Sequence, residues 1–125
     1  MKLTLFMTLA AIVALLFGLA FLLVPAGLLS LYGVTLDSGG QWIARYLGSA
    51  FLAIAAMTWL GRAASGPGLR AILVGDFVLA ITGLLVAIFD RLYGVGNMLV
   101  WSTLGIYLLL SLGFGYFVLL KPSTS

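Results

Sequence analysis

Two charged side chains stand inside strongly apolar stretches: Arg45 in "QWIARYLGSA" and Asp76 in "LVGDFVLA". In hydrocarbon a charge at a helix centre costs about 2.5–3.5 kcal/mol by insertion scales, so such a residue is held by a partner or a task. A membrane-embedded Asp76 can exchange a proton or hold a cation, and Arg45 can grip a lipid phosphate or a quinone carbonyl. Each has a plainer role as well. Asp76 can tie helices together as a hydrogen-bonding carboxyl, and Arg45 can snorkel to the surface and pair with an acid. Other chemistry is thinly represented. The chain has no Cys and no His, which removes thiolate nucleophiles, disulfides, iron–sulfur clusters, the usual zinc sites and haem ligation by His. No nucleophile–base pair or metal set can be assembled from what is left. The expectation is a protein that is not an enzyme, with no cofactor and no metal.

The elements that hold these residues follow from hydropathy. The 125-residue chain, sized for one domain, is 64% hydrophobic and 7% charged, with a mean hydropathy of +1.29, against about 25% charged residues in a soluble domain. Four apolar runs, at about residues 3–24, 42–60, 69–89 and 98–120, each have the ~20 residues that cross ~30 Å of hydrocarbon as a helix. Backbone groups in lipid must pair internally, and period-2 alternation is absent, so helices are expected rather than a barrel. The fold class predicted is all-α: a polytopic membrane protein with a four-transmembrane-helix bundle. The first run, at 22 residues from Leu3 to Val24, exceeds the ~7–15 of a signal-peptide core and is read as a true span.

Charge sets the expected orientation. With four spans both termini share a side, and that side collects Lys2, Arg62, Arg70 and Lys121; the other carries Asp37, Asp90 and Arg91, with Arg45 just inside it. The positive-inside rule puts the first set, and both termini, in the cytoplasm. The net charge of +3 contains no basic cluster, so nucleic acid is not an expected partner. Depth arithmetic places Asp76 near the levels of Thr8, Thr58, Ser111 and Tyr116. Arg45 is expected at the outer rim near Asp90 or Asp37, with a direct pair to Asp76 left open. Asn97, also at the outer rim, is expected to cap the fourth span.

The string "LYGV" occurs twice, at Leu31–Val34 and Leu92–Val95, once in each outer connection. Trp42 and Trp101 then open the following spans, and Gly48 and Gly105 follow within two turns. One explanation is two tandem helical hairpins of the same sense. The other needs no duplication: Leu–Tyr suits an interfacial belt, and Gly suits a left-handed helix cap. The stretch "AGLLSLYGV" after Pro25 is expected to lie at the membrane surface as a short helix. Small residues four apart allow close helix approach. Candidate packing positions are Gly18 with Ala10 and Ala14, Gly48 with Ala44, Ser49 and Ala53, Gly83 with Ala87, and Gly115 with Ser111.

"ARYLGSAFLAIAAMTWLGR", "VGDFVLAITGLLVAIFDRLYGVGN" and "GFGYF" together resemble small four-helix bacterial membrane proteins that carry Arg–X–X–Gly early in span 2 and Asp early in span 3. Here those residues are Arg45, Gly48 and Asp76. The resemblance implies a four-helix bundle in a bacterial cytoplasmic (inner) membrane and brings no activity with it. Two functions are therefore expected in competition. One is an accessory subunit whose partners are the lipid bilayer and either other integral membrane subunits or its own copies. The other is a small carrier of a proton, lipid or quinone that uses Asp76 and Arg45.

Overall fold

The computed structural model describes residues 2–94 and 96–120. Helix α1 spans Leu3–Leu23, a short α2 Pro25–Leu31, α3 Ser38–Gly61, α4 Gly66–Leu92 and α5 Val100–Gly115, which runs on into a π-helical turn, Tyr116–Leu120. No strand occurs among the described residues. Four stretches, Leu3–Leu23, Ser38–Gly61, Gly66–Leu92 and Val100–Leu120, are long and apolar enough to cross a membrane; this is a multi-pass membrane protein. Leu5, Leu16, Leu60, Leu85 and Leu109 are all exposed, the inside-out distribution that a lipid surround permits.

The observed spans run past the expected ones because residues assigned to loops serve helix ends. Span 2 begins at Ser38 rather than Trp42, since Asp37 caps it: its carboxylate accepts from the Gly40 N–H at 2.7 Å. Span 3 begins at Gly66 rather than Leu69, with Pro67 in the first turn, where its missing N–H costs nothing. It continues through Asp90 and Arg91 to Leu92. The connection between α3 and α4 is thereby cut to Arg62–Ser65. Span 1 ends at Leu23 because α2 starts at once with Pro25.

The two LYG segments end helices in the same way. Tyr32 and Tyr93 are the C-caps of α2 and α4, and Gly33 and Gly94 follow at φ +74° and +72°, where a Cβ would be strained. After α2 the Val34 N–H returns to the Leu29 carbonyl and the Gly33 N–H to that of Ser30, both at 3.0 Å; these are the paired bonds of a Schellman ending. Val95, the last residue of the second copy, lies outside the described residues, as does Lys121.

The helices pack as two tandem antiparallel hairpins, α1 with α3 and α4 with α5. In the first, backbone meets backbone at Gly48: a Cβ there would come within 2.7 Å of the Gly18 carbonyl oxygen and the Leu22 nitrogen. In the second, Gly83 lies under the Tyr107 ring and Gly115 against Phe77. Gly113, passed over in the sequence, lies against Phe6 and lets α5 meet α1. Gly105, which matches Gly48 in the repeat, has nothing within 4 Å of where its Cβ would be. Two of the other small residues proposed for packing in span 2, Ser49 and Ala53, are exposed; helix rotation turns them away from α1.

At the end that holds the N-terminus, Met7 and Ala10 of α1, Leu69 and Leu73 of α4, and Phe114, Phe117 and Val118 of the last span form one buried cluster. Phe6 sits edge-on to Phe114, with ring centroids 4.8 Å apart. At the opposite end the hairpins are held by hydrogen bonds. The Tyr32 and Thr103 hydroxyls share one at 2.8 Å, and the Asn97 amide donates to the Leu31 carbonyl at 2.9 Å.

Candidate functional site: a cavity between the hairpins

Between the apolar cluster at one end and those hydrogen bonds at the other, the hairpins enclose a cavity of about 630 Å³. Sites for small organic ligands run to about 300–1,000 Å³, mostly apolar with a few fixed polar groups. The walls here fit that description. Phe17, Phe21 and Phe51 come from the first hairpin, and Ala80, Tyr107 and Phe114 from the second. Leu47 and Val86 also line it while being 43% and 59% exposed, so the cavity opens sideways, between α3 and α4, toward the surrounding bilayer.

Its polar groups are few and lie apart. Toward the clustered end stand Thr58 and Asp76, both buried, with the Thr58 hydroxyl donating to Asp76 Oδ2 at 2.7 Å. This bond joins α3 to α4 across the cleft. It engages one carboxyl oxygen and leaves the other without a hydrogen-bond partner among the described residues. Toward the far end stand Asp90, Tyr32 and Thr103. From Asp76 to Asp90 is 14 residues of α4, about 21 Å at ~1.5 Å per residue, so the lining runs through much of the bilayer thickness.

Of the groups expected level with Asp76, only Thr58 bonds to it. The Thr8 hydroxyl instead donates to the Thr4 carbonyl at 2.8 Å and accepts from Arg62 Nη1 at 3.1 Å. The Ser111 hydroxyl is buried with no partner among the described residues, and Tyr116 is exposed. Arg62 is further held over the Trp59 ring at 3.6 Å, and Arg70 donates to the Val118 carbonyl at 3.2 Å, within the π-helical turn.

Arg45 departs from its expected place. It does not line the cavity, and no ion pair joins it to Asp37, Asp76 or Asp90. It is exposed on the outer side of α3, in a shallow concavity of about 260 Å³ with Leu22, Trp42, Tyr46 and Ser49. Depth separates it from Asp76, since Thr58, the partner of Asp76, lies 13 residues further along α3, about 20 Å; azimuth, which depth arithmetic lacks, turns it away from Asp37 and Asp90. Asn97 also differs from the expected cap. The N-cap position of α5 is Leu99; Asn97 lies two residues earlier, accepting from the Leu99 N–H at 3.0 Å through Oδ1 while its amide reaches Leu31. Arg91 braces the same turn, donating to the Asn97 carbonyl at 2.9 Å.

The cavity itself could not be read from the sequence, since its lining is drawn from every helix. The signal that pointed closest was Asp76, a carboxyl too costly to leave in lipid without a polar partner or a task. Comparison with family models, with curated proteins and with solved structures finds no match to this chain.

Proposed function

We propose that the protein binds one small lipidic molecule, a quinone-like ring or a single-chain amphiphile, in the cavity between its hairpins, and serves as a membrane carrier or holder for it. The observation that carries this reading is an apolar cavity of about 630 Å³ with a buried, hydrogen-bonded carboxyl in its wall. The sideways opening gives a molecule dissolved in the bilayer a route in that avoids water. Inside, the aromatic walls replace the acyl environment, and the Thr58–Asp76 pair is placed to hydrogen-bond a hydroxyl or carbonyl of the guest. Arg45 is given no part in this site.

The test is extraction. Chain purified in mild detergent should carry a lipidic molecule at near-equal stoichiometry, identified by mass spectrometry of the organic extract. Ala80→Phe, which fills the cavity from a position 1% exposed, should release it. Bulk-lipid composition in both extracts would refute the reading.

A second reading keeps the protein as an accessory subunit. The lateral opening at Leu47 and Val86 would then receive a helix of a larger membrane complex, or of a second copy. The same purification would return that subunit in fixed ratio instead of a small molecule.

For orientation we propose a bacterial cytoplasmic membrane with both termini inside, supported by Lys2, Arg62 and Arg70 at one end of the bundle against the mixed set Asp37, Asp90 and Arg91 at the other. Reporter fusions at Ser38 and Ser65 should score outside and inside respectively; the reverse would overturn it.

A further inference from the structure

Arg45 is a guanidinium without an acid. Asp37, nearest in sequence, is spent on capping α3; Asp76 is bonded to Thr58; Asp90 lies in the cavity lining. Among the described residues nothing donates to, accepts from or pairs with the Arg45 side chain. Yet it lies 7 residues into α3, counted from Ser38, about 10 Å along the helix axis, on a face that meets lipid. A cation there can take its anion only from outside the described chain.

We propose that Arg45, with Trp42, Tyr46 and Ser49, forms a binding site for the phosphodiester of a phospholipid headgroup. Three features fit that ligand. Side chains on a helix lean toward its N-terminus, here the rim of the bundle, so a long Arg side chain lifts its guanidinium to the level of lipid phosphates. The planar fork matches two phosphate oxygens at once. Trp42 and Tyr46, edge-on with centroids 5.3 Å apart, are residues of the membrane interface and wall the concavity, while Leu22 of α1 supplies an apolar surface for the first acyl methylenes. Ser49, one turn deeper on the same face, offers a hydroxyl donor. The site is separate from the cavity and stands whether or not the cavity binds a guest.

The experiment is native mass spectrometry of the full chain released from detergent, titrated with phosphatidylglycerol. Wild type should hold one lipid more tightly than the rest. Arg45→Gln should weaken that one by about tenfold, the loss of a charge-assisted bond pair; Arg45→Lys should fall between. Lys2→Gln, a cation at the opposite end, should bind as wild type. Ser49→Leu keeps the charge but fills the concavity, and should also weaken binding; both residues are exposed, so the fold is retained. Equal binding by wild type, Arg45→Gln and Ser49→Leu would overturn the proposal, as would an equal loss in Lys2→Gln. Displacement by excess inorganic phosphate as effective as by lipid would overturn it too, since the acyl chains would then contribute nothing.

Discussion

Replacing Gly48 by Ala tests the closest approach of a glycine to the backbone of another helix among the described residues. The added Cβ would lie 2.7 Å from the Gly18 carbonyl oxygen and from the Leu22 nitrogen, both backbone atoms that no rotamer change can move. Ordinary contact begins near 3.4 Å, so α1 and α3 must part by about 0.7 Å. A gap of that size forfeits a quarter to a half of each dispersion contact nearby, and overpacking of this kind costs about 1–3 kcal/mol. Ala also gains about 1 kcal/mol over Gly in a helix interior, which blurs a single measurement. Gly105→Ala removes that difficulty. It carries the same gain on α5, but its Cβ enters open space. The difference between the two variants is therefore the packing cost alone, and Gly48→Ala should be the less stable by about 1–3 kcal/mol. Unfolding by sodium dodecyl sulfate in mixed micelles, followed by far-UV circular dichroism, measures both. Equal midpoints, or a more stable Gly48→Ala, would refute the backbone contact.

Asp76→Asn keeps an acceptor for the Thr58 hydroxyl and should stay close to wild-type stability, whereas Asp76→Leu leaves that hydroxyl buried and unpaired at a cost of about 1–3 kcal/mol; the same unfolding titration separates them, and Thr58→Val should relieve Asp76→Leu. Tyr32→Phe removes the hydroxyl bond to Thr103 and should cost about 1 kcal/mol, with hydrogen exchange rising at Leu31–Gly33 and leaving Met7 and Leu73 protected.

The four spans were legible because hydropathy acts residue by residue, and lipid leaves the backbone no choice but helix. Their ends were less legible. Ser38, Gly66, Pro67 and Asp90 carry loop-like composition, yet they lie within the first or last turns of helices, where end geometry rather than polarity decides. Depth along a helix could be counted, and it set Asp76 level with Thr8, Thr58, Ser111 and Tyr116, of which Thr58 bonds to it. Rotation about the axis could not, which is why Arg45 was set facing acids it turns away from. Gly113 and Phe6 meet across more than a hundred residues, and no spacing rule links them. The π-helical turn at Tyr116–Leu120 has no local signature; Arg70, 46 residues before Tyr116, supplies the partner for its carbonyl. The LYG repeat does mark two equivalent helix endings, but Tyr32 is drawn inward to Thr103 while Tyr93 remains 71% exposed, so identical residues acquired different neighbours.

The four-residue connection Arg62–Ser65 bears on how the chain is made. Each hairpin is closed by contacts near in sequence, so the first can be complete in the membrane while the second is still being synthesised. The bonds between them are of another kind: Tyr32 to Thr103 spans 71 residues and Asn97 to Leu31 spans 66. Neither can form until α5 has begun to emerge. Until then the aromatic face of the first hairpin, with Phe17, Phe21 and Phe51, is open to the bilayer, and on the proposed reading the cleft would close around a lipidic molecule already resting there. Loading would then be an event of biosynthesis, with the outer bonds set last, behind the guest.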